Sequence, residues 1–431
     1  MICHFRMTRK KINILILFVL ILFKSQAAYM LIPMDDAQKN HLKAYGIAFF
    51  SLQKTIEVDW LLNYRGGSFG LKQSVSIEKE CKIRGISYEI LADVQYNKIL
   101  SEISNPEVNQ EVMKLEKAPK VAIYSPKNKQ PWDDAVTLVM TYAEIPYDVV
   151  YDEEIINGDL SKYDWLHLHH EDFTGQYGKF WSSYKNVAWF QEYVRFNENM
   201  AGKLGFDKVS QLKLEVAKTI KQFVSNGGFM FAMCAATDSY DIALAAQNTD
   251  ICQNMFDGDP SDPSMQSKLD FMNGFAFKNY NLVTNPHEYE FSSIDATKDH
   301  GKLVRSKGIK NDVFTLFDFS AKWDPVPTML CQNHESIIKG FMGQTTAFKK
   351  DNLRSDVLVL GETKIVNSAR YIHGKFGKGT WTYYGGHDPE DHTHRVSDPA
   401  TDLNLYPNSP GYRLILNNVL FPAAKKKKRK T

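Results

Sequence analysis

The chain has 431 residues, of which 43% are apolar and 13% aromatic, with a formal charge of +2. This composition excludes general disorder, and the length allows two domains with sizeable cores. The charge is uneven: residues 1–27 hold five cations and no acids, and Lys425 to Lys430 add six cations, so the body from Ala28 to Ala424 keeps 41 basic and 50 acidic residues, a charge of −9. An acidic body excludes a nucleic-acid groove.

At the N-terminus, Arg6, Arg9, Lys10 and Lys11 precede the apolar run Ile14 to Phe23, and Ser25-Gln26-Ala27 ends it with small residues. This pattern predicts a signal peptide over residues 1–27 and export to the periplasm or medium, with no stable membrane span after processing. The basic end, residues 425–431, reads as a disordered solubilising tail able to touch anionic surfaces. Cys81, Cys234, Cys252 and Cys331 follow the signal with no metal-type spacing, so a Cys234–Cys252 or a Cys81–Cys331 bond stays open.

Residues 28–118 read as a small α+β domain. A strand is expected over Tyr29 to Pro33, a helix opened by Asp35-Asp36 and running to Leu52, and alternation over Thr55 to Leu61 into the turn Asn63 to Gly67. Helical patterns follow at Ile77 to Arg84 and Val94 to Ile103, and polar Ser104 to Lys120 reads as a linker. Over residues 119–424 strands and helices alternate: Val121 to Tyr124, a helix over Asp133 to Ala143, then strands Tyr147 to Tyr151, Asp164 to Leu168 and Gly228 to Met233. The alternation predicts an α/β fold with a doubly wound, mostly parallel, flavodoxin-like sheet. Later β-patterned runs lie at Asn281 to Thr284, Val313 to Phe317, Val357 to Leu360 and Thr380 to Tyr384, and a last helix over Gly411 to Leu420.

Three chemistry-bearing clusters fall at expected strand ends, where ligands bind in open α/β sheets. Cys234 follows apolar Phe229 to Met233 and precedes a helix start, which is the layout of a nucleophile elbow and predicts a lowered thiol pKa. His167, His169, His170 and Glu171 close the third strand, with His167 and His169 on one side of it and His170 on the other. Gly385-Gly386-His387-Asp388-Pro389-Glu390-Asp391-His392-Thr393-His394 follows the last strand.

The strand–helix rhythm, the GGFMFAMCAA elbow and the late GGHDPED loop resemble the class I glutamine amidotransferase superfamily, and GKGTWTYYGGHDPED is similar to its trehalose-utilisation branch. The resemblance covers about Lys120 to Phe421. It implies an amidase-like or hydrolytic site with Cys234 as nucleophile, His387 as general base and Glu390 or Asp388 as orienting acid. In this chain Ala232 and Ala236 stand where the superfamily's elbow has glycines, and Glu390 lies three residues after His387 rather than two. The whole pattern, including Trp60 to Leu71, also resembles exported Bacteroidetes-type proteins catalogued as asparagine synthetase B. That activity needs a processed N-terminal cysteine and a Ser-Gly-Gly-x-Asp-Ser loop for ATP, and this sequence has neither.

Two other readings use the same rim. No cofactor is required by any motif, but a divalent metal could be held by His167, His169, His387 and Asp388, with His170, Glu171, His392 and His394 as further ligands, giving a metal-dependent hydrolase. Alternatively, His169, His170, Glu171 and Tyr177 bind a small-molecule, glycan or cell-envelope ligand without catalysis, beside the aromatic run Phe173 to Trp181. Expressed with its leader, the chain is expected to leave the cytoplasm and begin at Ala28. N-terminal sequencing of the released protein checks this, and an intact Met1 end retained on the membrane would refute it.

Overall fold

The computed structural model describes residues 28–127, 130–324 and 335–424. The expected signal peptide, the basic tail, and Cys331 with its pairing to Cys81 lie outside the described residues.

The first unit is a five-stranded antiparallel sheet. Its strands are β1 (Ala28–Ile32), β2 (Val58–Leu62), β3 (Ser68–Lys72), β4 (Glu89–Ala92) and β5 (Glu111–Leu115), in the order β4-β1-β3-β2-β5. The helix expected from Asp35 starts later, at His41–Gln53, where the Asn40 side chain accepts from the Lys43 N–H at 2.9 Å. Asp35 is used elsewhere: it accepts from Ala37 N–H and pairs with Arg65 at 2.6 Å. Polar Ser104 to Lys120 is more than a linker, because β5 pairs with β2 along residues 58–62. Gly46 sits where helix His41–Gln53 crosses helix Ala135–Ala143, and a Cβ there would lie 1.8 Å from the Ala143 carbonyl oxygen.

The second unit is a mixed α/β layer. Its strands are β6 (Val121–Tyr124), β7 (Asp148–Val150), β8 (Trp165–Leu168), β9 (Phe229–Met233), β10 (Val313–Leu316), β11 (Ile337–Lys339), β12 (Phe348–Lys349), β13 (Leu358–Thr363), β14 (Ser368–Phe376) and β15 (Gly379–Tyr384). They form one sheet in the order β11-β10-β13-β14-β15-β9-β8-β6-β7, with β12 paired to β14. β7, β6, β8, β9 and β15 run parallel to one another. The sheet is not mostly parallel, as the sequence suggested, because β14, β13, β10 and β11 extend it in antiparallel fashion. The run Asn281 to Thr284 forms no strand and makes only the bridge Leu282–Ser292.

One hydrophobic core joins the units: Trp60, Phe69 and Leu71 of the small sheet, Val139 and Met140 of helix Ala135–Ala143, and Leu416 and Leu420 of helix Pro410–Leu420. Arg413 crosses this joint buried, donating to the Gly66 carbonyl at 2.6 Å and to Tyr45 Oη at 3.4 Å.

Burial, reinforced by Arg413, pushes the His41 imidazole down to about 4, and burial pushes His373 down to about 3. Both lie below the ordinary value of 6.5, so the unfolded chain binds protons more tightly. Their stabilisation is therefore present above pH ~6.5 and is lost as pH falls through that value toward 4 and 3. Urea midpoints are expected to drop steadily over this window, and His41→Gln is expected to flatten the slope. A midpoint level from pH 7 to 4 would count against these two buried neutral rings.

Candidate functional site

The site is built where β8 ends. Trp165, Leu166, His167 and Leu168 are all buried because β8 lies inside the sheet between β6 and β9. His167 Nδ1 lies 3.0 Å from the Phe231 carbonyl oxygen, which can only accept, so Nδ1 carries the hydrogen. Its Nε2 then presents a lone pair, and that atom lies 3.2 Å from Asp134 Oδ2. His169 Nδ1 lies 3.2 Å from the same oxygen. His167 Nε2 and both ring nitrogens of His169 are buried without a hydrogen bond.

Asp134 is held by its other oxygen. Oδ1 accepts from Val136 N–H at 2.7 Å and Thr137 N–H at 2.9 Å, capping helix Ala135–Ala143. Burial alone would raise the Asp134 carboxyl, but His167 and His169 hold it well below the usual carboxylate range. At His167 burial outweighs the carboxylate and pushes the imidazole below its ordinary value. A carboxylate oxygen of Asp134 therefore stands opposite the His167 nitrogen that does not bond Phe231, with no hydrogen bond between them.

A column of imidazoles continues from this point. His169 stacks on His170 at 3.9 Å, His170 lies 4.7 Å from His387, and His387 stacks on His394 at 4.5 Å. His170 Nε2 lies 2.7 Å from the Asp133 carbonyl oxygen, which leaves Nδ1 with the lone pair. His387 is 7% exposed, and neither ring nitrogen has a partner. Burial and the neighbouring imidazoles hold His387 well below its ordinary value. At the end of the column Asp133, 2.7 Å away, and Asp391, 3.0 Å away, raise His394 to about 9, so that ring is charged. Gly386 makes the turn into His387 at φ 98°, and a Cβ there would meet the Phe341 ring at 2.5 Å.

Three ligand-like trios result, Asp134-His167-His169, His169-His170-His387 and Asp133-His387-His394, each with its donor atoms within 4.8 Å of one another. Beside them opens a cavity of about 360 Å³, its wall including Trp132, Asp133, Asp134, His169, His170 and Glu171. Burial pushes the Glu171 carboxyl up to about 7, and Tyr151 Oη donates to it at 3.4 Å.

Cys234 does sit at a strand–turn–helix junction. It follows β9 and precedes helix Ala235–Ala245 with φ 51° and ψ −137°, a strained backbone conformation for a non-glycine residue. The thiol is 4% exposed and accepts from Gln344 N–H at 3.3 Å. Burial pushes it up to about 11, against the pull of N–H groups from Gln344, Ala235 and Thr345, so the lowering expected from the helix start is overturned. His387 bonds neither the thiol nor any other group, so no nucleophile–base pair forms. Glu390 does not orient His387: its carboxylate lies 3.6 Å from Lys339 Nζ.

No family profile matches this sequence, and no curated protein matches it. Among solved structures, the chain is similar to cytoplasmic protein STM3548 from Salmonella typhimurium, with a TM-score of 0.33, 11% identity, and coverage of 71% of this chain and 100% of that one. Cytoplasmic protein STM1381 from Salmonella typhimurium LT2 gives 0.36 and 9%, covering 71% and 100%. A β-galactosidase from Bacillus circulans sp. alkalophilus gives 0.26 and 12%, covering 64% of this chain and 29% of that one. Likenesses this loose carry no argument.

The remaining expected site residues have other partners. Asp388 is buried as a loop anchor, accepting from Glu390 N–H at 2.9 Å and Tyr412 Oη at 2.8 Å, so it is no metal ligand here. Tyr177 is 5% exposed and packs edge-on against Phe190 and Tyr193, away from any ligand-facing role. His392 Nε2 lies 3.3 Å from Asp312 Oδ2, in a separate buried network. Asp134 was not foreseen as a site residue; its only sequence signal is a carboxylate just before a helix. Cys81, Cys234 and Cys252 are free thiols, so the Cys234–Cys252 bond is not formed. Iodoacetamide at neutral pH is expected to label Cys234 as slowly as Cys81, whose thiol burial pushes up to about 12. Fast, selective labelling of Cys234 by mass spectrometry would restore it as a nucleophile.

Proposed function

We propose that this chain is an exported, divalent-metal-dependent hydrolase acting on a small polar or glycan-derived substrate, with the cation held by Asp134, His167 and His169. One observation carries the proposal: a lone pair on His167 Nε2 and a carboxylate oxygen of Asp134 face each other at 3.2 Å in a buried setting. Two acceptors at that distance repel unless a proton or a metal cation lies between them, and no hydrogen bond joins His167 Nε2 to Asp134. Ligand atoms around a cation with bonds of ~2.1 Å stand about 3.0–3.4 Å apart, and both measured separations fall there.

Two imidazoles and one carboxylate leave coordination positions open, and the cavity adjoins them through Asp134 and His169. A bound cation supplies Lewis-acid polarisation of the substrate and of a water molecule. Glu171 on the cavity wall is placed to carry a proton between water and leaving group as water adds across the scissile bond. The Phe231 carbonyl fixes the His167 tautomer, and the Val136 and Thr137 N–H groups fix the carboxylate. Trp132, 5.5 Å from His170, offers a face for a sugar ring.

The strand order β7-β6-β8-β9-β15, all parallel, supports reading this half of the sheet as doubly wound and flavodoxin-like, with its ligand at the carboxyl edge. The strained elbow at Cys234 supports kinship with the class I glutamine amidotransferase superfamily, with the cysteine no longer serving as nucleophile. A second reading, a non-catalytic glycan-binding protein, is favoured by the aromatic cluster of Trp132, Phe180, Tyr184 and Trp189 beside the cavity.

Equilibrium dialysis with Co²⁺ is expected to show tight binding that His167→Gln or Asp134→Asn weakens by more than the roughly 10- to 100-fold loss an outer-shell partner causes. Hydrolysis of acetylated sugars and activated esters is expected to stop on chelation and return with metal. Metal binding without hydrolysis would favour the second reading, and no metal binding would end the proposal.

A further inference from the structure

The metal set proposed above uses one nitrogen of His169 and leaves the other, together with His170 and His387, unexplained. His169 Nδ1 faces Asp134, yet Nε2 is also buried and has no partner. His170 is locked with its Nε2 hydrogen on the Asp133 carbonyl, so its Nδ1 lone pair is free to bind. His387 keeps both nitrogens unpartnered while 93% buried, an expensive arrangement for a ring that could otherwise find a carbonyl or water. Three imidazoles with donor atoms within 4.8 Å of one another thus meet at the ring already assigned to the first cation.

We infer that the site is binuclear, with a second divalent cation on His169, His170 and His387 and the His169 ring bridging the two metals as imidazolate, its ring proton released to solvent when the second cation binds. This rests on the first cation lying at Asp134, His167 and His169. A three-nitrogen set with no carboxylate suits a borderline or soft ion such as Zn²⁺ or Cu²⁺ rather than Mg²⁺ or Ca²⁺. Donor separations must contract from up to 4.8 Å to about 3.4 Å, and His387, whose two ring nitrogens have no hydrogen-bond partner, is the ring that can turn. His394 does not join the second set, because Asp133 and Asp391 hold it from both sides. It instead stacks flat on His387, its plane 8° from that ring's.

The test is stoichiometry by elemental analysis after dialysis of the purified chain against Zn²⁺. Two ions per chain are expected, falling to one in His387→Gln and in His170→Gln, with unchanged circular dichroism showing that the variants fold. At two equivalents of Cu²⁺ the electron paramagnetic resonance signal is expected to show coupled ions, and at one equivalent an isolated ion. One ion per chain that survives His387→Gln overturns the second cation but leaves the first. Two ions that survive it overturn the assignment of ligands. One ion lost with His387→Gln moves the single site away from Asp134, and no ion in the parent chain ends both readings.

Discussion

A single carboxylate, Asp134, ties the site to the fold. One of its oxygens caps helix Ala135–Ala143 and the other sits 3.2 Å from two imidazoles delivered by β8. A helix cap is worth about 1 kcal/mol, whereas leaving a buried donor or acceptor unpaired costs about 1–3 kcal/mol, and three imidazole nitrogens here are unpaired. The cap therefore cannot be the reason for the contact. It fixes where the carboxylate points, and the surrounding β8–β9 pairing fixes where the imidazoles meet it.

The walls around this point are braced by buried charges that have no catalytic part. Lys213 donates to both oxygens of Asp152 at 3.0 Å and to Tyr151 Oη at 2.9 Å, and Tyr124 Oη also donates to Asp152. This network lies behind Glu171 and the cavity. On the other side Arg370 donates to Asp312 at 2.6 and 2.7 Å and to the Phe341 carbonyl at 2.5 Å, holding the segment that leads into the loop over Cys234. Breaking such a pair by removing one partner typically costs about 3–5 kcal/mol. His300 lies 2.8 Å from Ser368 Oγ and 2.8 Å from Asp312 Oδ1, in the order of a nucleophile, base and acid. All three are buried and Arg370 claims the acid, so the arrangement is a brace.

Cys234 shows how backbone geometry and reactivity separate. Its φ of 51° and its place between β9 and a helix satisfy the layout of a nucleophile elbow. Reactivity also needs an accessible thiolate and a base, and here the loop from Met342 to Thr346 covers the sulfur while His387 turns to the imidazole column. The Gly386 N–H to Thr345 carbonyl bond at 2.9 Å joins that loop to the turn carrying His387.

Local pattern was enough for β6, β8, β9 and β15, because uniformly apolar runs between glycine or polar turns leave few alternatives. The strand-end placement of His167, His169, His170 and His387 followed from the same runs. β14 was hidden: Arg370 and His373 face the interior and break the apolar alternation that would mark a strand, and only their buried partners make that tolerable. The antiparallel extension was lost with β14, because the hairpins β13–β14 and β14–β15, closed at Thr363–Ser368 and Phe376–Gly379, both need that strand. Which charged groups would meet was likewise a tertiary outcome. Asp388, adjacent to His387 in sequence, turned to Tyr412, while Asp134, far from both in sequence, reached His167 and His169. Sequence by itself determined that β6, β8, β9 and β15 are strands and which side chains stand at their ends, because those depend on neighbours along the chain. Only the tertiary structure decided which of those side chains face one another, because that depends on how helices cross the sheet.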